Sequence, residues 1–244
     1  MEDFIILSPG QRLRKLRKKL GMTQAELASD NISKNYISMF ENGKRPINVI
    51  NATYLAEAIN QKAKEKNIDI FIKPSYFIKN ERDIAREMCL EIIEEVSQNQ
   101  MNKYSKYKNL YKAIYISSQY GFIDLLAQAL EFKGKTLFRE GLYFCAMTHL
   151  SKSLLYYFQE GNKEGIYNCY LAIGQIHFMD ENYEAAIAYF NLASAYGNED
   201  NILYYRALCH YKLGHYKIAR NIIDKIIFKD ERVLKLEKNI SNIV

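Results

Sequence analysis

The sequence predicts an all-α protein in which a small basic domain precedes a longer array of helical hairpins. Three observations predict this class. Apolar residues recur at the three- and four-residue spacing of amphipathic helices along most of the chain. Only 3 of the 244 residues are proline and 48% are apolar, which is typical of a globular chain. Short breaks that contain glycine or asparagine separate the helical segments.

Positive charge is concentrated near the N-terminus. Residues 1–66 contain 12 Lys and Arg against 7 Asp and Glu, a net charge of +5. Residues 67–244 contain 22 against 21, a net charge of +1. A basic excess confined to a small domain indicates a polyanionic partner, although a solvated basic surface would give the same composition.

The first 66 residues contain four short helical segments. They are predicted over residues 9–20, 24–29, 34–42 and 49–63. Thr23 precedes the second segment and Glu26 follows three residues later, which is the arrangement of a capping box. The turn after this segment is expected to place Asn31 in the left-handed conformation, which asparagine tolerates. In the fourth segment, Ile50 and Leu55 are expected to face the core.

Two short helices joined by a tight turn and packed on a third make a helix-turn-helix. The motifs that carry it are RLRKLR at 12–17, TQAELA at 23–28 and ISMFENGKR at 37–45. Over about residues 8–62 the sequence resembles the Xre/Cro-like phage-repressor family of DNA-binding domains. The resemblance implies that the third helix lies in the major groove with its first residues against base edges. The turn departs from the family, because it has Asn31 where glycine is common and is slightly shorter.

Nine residues of this region are candidate DNA contacts. Lysine can donate to guanine, asparagine can pair with adenine, and methionine can touch the thymine methyl group. The candidates for base contacts are Lys34, Asn35, Ser38 and Met39. The candidates for phosphate contacts are Gln24, Asn42, Lys44 and Arg45, while Tyr36 either reaches the DNA backbone or packs internally. The alternative is that these are ordinary solvated residues on a helix that never meets DNA.

A break in the helical pattern follows this domain. Pro74 prevents a continuous helix, and Ile68, Ile70 and Ile72 alternate with polar residues. We therefore predict a helix-turn-helix domain over 1–66, an extended linker with apolar anchors over 67–80, and a repeat domain over 81–244.

A six-residue pattern repeats in the second part of the chain. It is Gly174, Phe178, Tyr183, Ala186, Phe190 and Ala193. At an offset of 33 it recurs as Ala207, Tyr211, Tyr216, Ala219, Ile223 and Ile226, and at an offset of 40 as Gly134, Phe138, Tyr143, Ala146, Leu150 and Ser153. These residues resemble the tetratricopeptide repeat. The resemblance implies an α-solenoid of stacked helical hairpins with a concave face, and residues 81–120 would form a further, degenerate pair.

In such arrays the first helix of each hairpin lines the concave face. Nine candidate peptide contacts lie six residues before, three before and one after the shared small residue. They are Gln128, Glu131, Lys135, Asn168, Leu171, Gln175, Asn201, Tyr204 and Leu208. Carboxamides at 128, 168 and 201 can hold a peptide backbone, because each offers a donor and an acceptor. The alternative is that these are simply exposed polar residues.

The chain lacks the sequence patterns of an enzyme or a metal site. It contains no HExxH, no glycine-rich phosphate loop and no GxSxG, so neither a cofactor nor a metal is expected. Four cysteines are expected to be reduced core residues, namely Cys89, Cys145, Cys169 and Cys209. No apolar run reaches 18 residues and no signal-peptide pattern opens the chain, so a cytoplasmic protein without membrane contact is expected.

Together the two parts resemble the RRNPP group of peptide-sensing regulators of Gram-positive bacteria. The resemblance implies a homodimer that binds an inverted repeat in double-stranded DNA and takes a short signalling peptide into the concave groove, as in quorum sensing. The array is shorter by about one repeat than in many such regulators. Two alternatives remain open: the repeats bind a partner protein, or the chain is a scaffold whose head does not bind DNA.

Overall fold

A computed structural model describes residues 5–98, 101–197 and 199–243. These residues form helices joined by turns, and their β-structure is limited to an isolated bridge between Ser29 and Ile32. The predicted all-α class is therefore confirmed. The chain divides into two compact units, Met1–Met88 and Cys89–Val244.

Four helices lie within the first unit. They are α1 Pro9–Lys19, α2 Lys34–Glu41, α3 Val49–Glu65 and α4 Ser75–Ile78. Helix α5, Glu81–Ser97, contains the boundary between the units. Ser8 caps α1, and Gln11 completes a capping box with it. Local caps thus fix where the helices begin, as the sequence predicts.

The core of the first unit is formed by fully buried apolar side chains. They include Leu13, Leu20, Leu27, Ile37, Leu55 and Ile59. The segment 67–80 packs against this core: Phe77 is fully buried, and Ile68, Ile70 and Ile72 are partly buried. The Asn60 amide also exchanges hydrogen bonds of 2.7 and 2.9 Å with the Ile72 backbone. Residues 67–80 therefore contribute to the stability of the first unit.

Residues 24–29 form a hydrogen-bonded turn, so the predicted second helix is wrong. The capping box is present, with the Thr23 amide donating to the Glu26 carboxylate at 2.6 Å. Ser29 and Ile32 then exchange backbone hydrogen bonds of 2.9 and 3.2 Å, which turns the chain before a helix can extend. This pair closes the turn without a left-handed residue at Asn31, so that prediction is also wrong.

The second unit continues from α5 as a succession of packed helices. They are α6 Lys103–Tyr120, α7 Ile123–Arg139, α8 Tyr143–Glu160, α9 Lys163–Met179, α10 Tyr183–Ala193, α11 Glu199–Lys212, α12 Tyr216–Ile223 and α13 Glu231–Ser241. Each helix from α6 to α13 packs on the next one in the chain. The hairpins α7–α8, α9–α10 and α11–α12 coincide with the three predicted repeats, and α13 follows the last of them.

The small residue of the repeat lies where the two helices of a hairpin approach most closely. A methyl group added to Gly174 would lie 2.5 Å from the ring of Phe190. A methyl group added to Gly134 would lie 2.6 Å from Cγ of Leu150. The two pairs occupy equivalent positions, which confirms the predicted 40-residue offset.

The turns of the three hairpins share a conformation. Each contains one left-handed residue, and these are Gly141, Glu181 and Gly214. An aromatic pair flanks each turn, with ring centroids 5.4 to 5.9 Å apart: Phe138 with Tyr143, Phe178 with Tyr183, and Tyr211 with Tyr216. Glu181 therefore occupies a position at which the other two repeats have glycine.

Three of the four cysteines are buried as expected, whereas Cys145 is exposed on α8. The prediction of a core position is wrong for Cys145, because it lies beside the buried Ala146 but on the outer surface of the helix. Cys89 contacts α6, with its sulfur 3.9 Å from the Ala113 carbonyl oxygen. None of the described helices is long and apolar enough to span a lipid bilayer.

Candidate functional site

Helix α2 presents a polar surface opposite its buried side. Its core side is formed by Ile37, Phe40 and Glu41. Its first turn is capped by Ser33, whose hydroxyl accepts a hydrogen bond from the Tyr36 amide at 3.1 Å. The four residues predicted to contact bases lie away from the core: Lys34 and Asn35 are exposed, and Ser38 and Met39 are partly exposed. The structure therefore brings these four together at the start of one helix.

Tyr36 and the residues after α2 form a second polar group. The Tyr36 hydroxyl donates to the Pro46 carbonyl oxygen at 2.9 Å, and the Arg45 guanidinium lies 4.9 Å from the centre of the Tyr36 ring. Tyr36 is thus bound to the loop behind α2 while its ring supports Arg45. Asn42, Lys44 and Arg45 are exposed, and the Asn42 amide donates to the Ser38 carbonyl oxygen at 2.8 Å.

An open depression of about 580 Å³ adjoins this group. Ser33, Tyr36, Arg45 and Asn48 are among its lining residues. Ser33 caps α2 and Asn48 caps α3, so the N-termini of two helices meet beside one exposed guanidinium. N-terminal amides and a guanidinium suit a phosphate. Asn48 was not predicted as a site residue, although its capping position before α3 can be read from the sequence.

Gln24 is held by a charged network at the junction of α1 and α2. Its amide donates to Oε2 of Glu41 at 2.8 Å. Glu41 also accepts two hydrogen bonds from the Arg17 guanidinium, at 2.6 and 2.9 Å. The side chain of Glu41 is 1% exposed, so this ion pair is buried. The Gln24 amide nitrogen, predicted to contact phosphate, is therefore already bound to Glu41.

The network sets the ionisation of its members. Burial opposes the charge of Glu41, but hydrogen bonds from Arg17 and Gln24, with the charges of Arg17 and Arg14, outweigh it and lower the pKa of Glu41. The hydrogen bond to Glu41 raises the pKa of Arg17. This ion pair was not predicted from the sequence. Its signal was an acidic residue at a core position of α2, four residues after Ile37.

The basic residues of α1 divide into two sets. Arg12 is buried, donates to the carbonyl oxygens of Leu7 and Lys79, and lies over the ring of Tyr76. Together with Arg17, it is engaged in internal contacts. The exposed members of α1 are Arg14, Lys15, Lys18 and Lys19. These four, with Lys34, Lys44 and Arg45, provide the exposed positive charge of α1, α2 and the loop after α2.

Eight of the nine predicted groove positions are partly exposed, and Glu131 is buried. The Glu131 carboxylate accepts hydrogen bonds from the Tyr157 hydroxyl at 2.6 Å and from Lys135 at 2.5 Å. Gln128 on α7 and Asn168 on α9 are partly exposed. Glu131 thus joins α7 to Tyr157 on α8, while Lys135 pairs with Glu131 within α7.

Positions on α9 and α11 are linked through tyrosine hydroxyls. The Gln175 amide donates to the Tyr205 hydroxyl at 2.7 Å, and the Asn201 amide donates to the Tyr167 hydroxyl at 3.0 Å. Leu171 packs on the core cluster that contains Phe190, and Leu208 packs on the cluster that contains Ile223. Tyr204 lies beneath the Arg232 guanidinium, 5.0 Å from its ring centre. The structure therefore connects the candidate positions of the last two repeats.

Residues 13–65 match a protein-family model described as helix-turn-helix, which confirms the predicted domain. Among solved structures, the chain is similar to Bacillus thuringiensis PlcR in complex with the peptide PapR7 and DNA, at 14% identity and a TM-score of 0.34, over 97% of this chain and 99% of that chain. It is also similar to a mutant of PrgX, at 15% identity and a TM-score of 0.33, over 97% of this chain and 93% of that chain. No curated protein sequence matches the chain.

The exposed surface of α2 and of the loop after it carries hydrogen-bonding and positively charged side chains. Within residues 5–98, 101–197 and 199–243, no three His, Cys, Asp or Glu side chains are grouped as a metal site would require. The family model that matches residues 13–65 describes a helix-turn-helix, and the described elements of both units are helical. The exposed groups on α2 are hydrogen-bond donors and acceptors of the kind that read base edges.

Proposed function

We propose that this protein is a sequence-specific DNA-binding transcriptional regulator whose repeat unit binds a short signalling peptide that modulates DNA binding. One observation carries the proposal: a helix-turn-helix unit exposes Lys34, Asn35, Ser38 and Met39 together on α2, and Glu41 on the opposite side anchors that helix. Such a protein would act in the cytoplasm, where bacterial DNA lies.

The first unit separates base contacts from phosphate contacts. The start of α2 enters the major groove, where Lys34 and Asn35 reach base edges. Lys44 and Arg45 follow α2 and contact the phosphates, as do the N-terminal amides beside Ser33 and Asn48. Gln24 orients Glu41 and thereby the recognition helix. We include in this proposal a homodimer on an inverted repeat, because two-fold symmetric sites fit two such units.

The peptide site is proposed on α9 and α11, with α7 extending it. Tyrosine hydroxyls fix the Gln175 and Asn201 amides in place, so these groups lose little conformational entropy when a peptide backbone binds. Leu171 and Tyr204 lie at the intervening positions and would seat apolar side chains. A peptide changes DNA binding only if it prefers one of the two states of the dimer.

Selection of genomic DNA fragments by the purified protein tests whether α2 recognises a DNA sequence. The wild type should enrich an inverted repeat, and Lys34→Ala/Asn35→Ala should lose that enrichment while remaining folded. The matched control is Lys217→Ala/Asn221→Ala, which removes the same two residue types from exposed positions on α12. Equal enrichment by the wild type and the Lys34→Ala/Asn35→Ala variant would overturn the assignment of α2.

A library of short peptides tests the second part of the proposal. A true ligand should raise the melting temperature of the repeat unit and shift the affinity for the selected DNA. Asn168→Ala/Asn201→Ala should lose both effects. If DNA is read but no peptide has either effect, the repeats serve a protein partner instead.

A further inference from the structure

Lys133 on α7 is a buried cation without an anionic partner. Its side chain is 7% exposed. Its ammonium group lies 3.8 Å from the centre of the Tyr111 ring on α6. Among the residues the structure describes, this ring is the partner of the ammonium group, and no carboxylate lies within ion-pair distance. A ring face compensates an ammonium group only in part, because a buried charge normally needs an opposite charge as well.

His149 lies on α8 next to Leu150, and Leu150 packs on Gly134, the residue after Lys133 on α7. Its Nδ1 atom is buried and has no hydrogen-bond partner. Burial, and then the positive charges of Lys133 and Lys152, lower the pKa of His149 to about 4. At neutral pH the imidazole is therefore uncharged, close to two lysines, and has an unused ring nitrogen.

Acidic side chains are few on the helices around Lys133, and the carboxylates near it have other partners. None of the residues one helical turn before or after Tyr111, Lys133 and His149 is acidic. They are Tyr107, Lys108, Ile114, Tyr115, Ala129, Leu130, Thr136, Leu137, Cys145, Ala146, Lys152 and Ser153. Helix α6 contains no Asp or Glu, and in α8 only the final residue, Glu160, is acidic. Glu131 is two residues from Lys133, but its carboxylate is bound by Tyr157 and Lys135. The carboxylate of Glu140, at the end of α7, is bound by the Tyr107 hydroxyl and by Lys103. Among the described residues, no carboxylate therefore pairs directly with Lys133.

We propose that Lys133, His149 and Lys152 form a binding site for a small oxyanion, either a carboxylate or a phosphate group. The Lys133 ammonium, held on the Tyr111 ring, supplies the buried charge. His149 supplies the unused ring nitrogen as a donor, and the exposed Lys152, three residues further along α8, supplies a second ammonium group. None of these residues is among the nine groove positions, so the site is independent of the proposed peptide site.

The imidazole of His149 is the reporter that tests this site. The full-length protein, with histidine labelled by ¹⁵N, is titrated with acetate and with inorganic phosphate against chloride at constant ionic strength. The bound oxyanion should shift the His149 signals in a saturable way and raise its pKa by about one unit, because a nearby anion favours the imidazolium form. The signals of His177 serve as the internal control. Acetate and phosphate compared at equal concentration decide which oxyanion the site prefers.

Two variants separate binding from packing. Lys133→Met keeps an apolar stem of similar length, so it should fold, abolish the saturable shift, and melt at or above the wild-type temperature in chloride. Lys133→Arg should retain the shift, and Lys217→Met, at an exposed position on α12, should leave it unchanged. A linear response shared with chloride, or an unchanged response in Lys133→Met, would show general screening and overturn the proposal.

Discussion

At the scale of single residues, the first unit depends on a carboxylate that the sequence places among core side chains. Glu41 joins α1 through Arg17 and the 24–29 turn through Gln24. Two buried charges lose hydration, and the pair is stable only because the contact is bidentate and the remaining acceptor is used. The orientation of α2 therefore depends on a residue that never meets DNA.

Removing the carboxylate should destabilise the first unit strongly. Glu41→Ala leaves the largely buried Arg17 guanidinium without its carboxylate and with the Met22 carbonyl oxygen as its remaining partner, which costs about 3–5 kcal/mol of unfolding free energy. Urea denaturation followed by circular dichroism measures the loss. The double variant Arg17→Met/Glu41→Leu should recover most of it. If the single and double variants unfold alike, the ion pair does not explain the stability.

The same pair predicts a pH dependence. Because the pKa of Glu41 is lower in the folded state, its stabilisation is fully present above the ordinary carboxyl value of 4.5 and is lost as pH falls through the lowered value. The stability difference between the wild type and Glu41→Gln should shrink as the pH falls below about 4.5. Denaturation at pH 7 and pH 3 measures this difference, and a constant difference would contradict the assignment.

Glu181 is strained at the turn between α9 and α10. It adopts the left-handed conformation, with φ of 59°, at a position where Gly141 and Gly214 serve the other hairpins. Because residues other than glycine are less stable in this conformation, Glu181→Gly should stabilise the repeat unit by about 1 kcal/mol. Gly141→Ala is the matched control and should destabilise it by a similar amount. Thermal unfolding measures both, and a destabilised Glu181→Gly would show that its side chain makes a contact that offsets the strain.

At the scale of secondary-structure elements, capping residues in the sequence predicted the helix starts, which depend on local hydrogen bonds. The caps at Ser8 and Ser33 placed the starts of α1 and α2 correctly, since an N-cap acts within one turn. The helix predicted over residues 24–29 is wrong because the Ser29–Ile32 hydrogen bonds compete with helix extension. The spacing of apolar residues does not reveal this competition. Ile50 was expected in the core but is 77% exposed, because it lies on the side of α3 opposite Ile59, which is fully buried.

Gly174 permits the close approach of α9 to α10. Gly174→Ala would place a methyl group 2.5 Å from the ring of Phe190, which is fully buried. We expect a loss of about 1–3 kcal/mol, because the helices must separate or the ring must leave its rotamer. Chemical denaturation measures the loss. Adding Phe190→Leu should restore part of it, and a double variant no more stable than Gly174→Ala would place the strain elsewhere.

At the scale of the whole molecule, the sequence revealed architecture better than contacts. Repeat offsets of 33 and 40 located three hairpins, because equivalent residues perform equivalent packing in each. They did not reveal that Glu131 is buried under Tyr157, or that Gln175 and Asn201 reach tyrosines of neighbouring helices. Such partners come from residues about 26 to 34 positions apart in the chain, and no single-helix pattern encodes them.

The division of charge between the two units gives the last prediction. The net charge of +5 lies in residues 1–66. Because contacts between basic residues and phosphates release counterions from DNA, the affinity for DNA should fall steeply as the salt concentration rises. Lys44→Ala and Arg45→Ala should each weaken binding to all sequences and reduce the slope of log K against log[salt] by about one. Lys34→Ala should instead relax the preference at one base pair. Fluorescence anisotropy with the selected operator and a scrambled duplex, at several salt concentrations, measures both effects. If Lys44→Ala changes sequence preference while Lys34→Ala changes only the slope, the division of roles between α2 and its following loop is reversed.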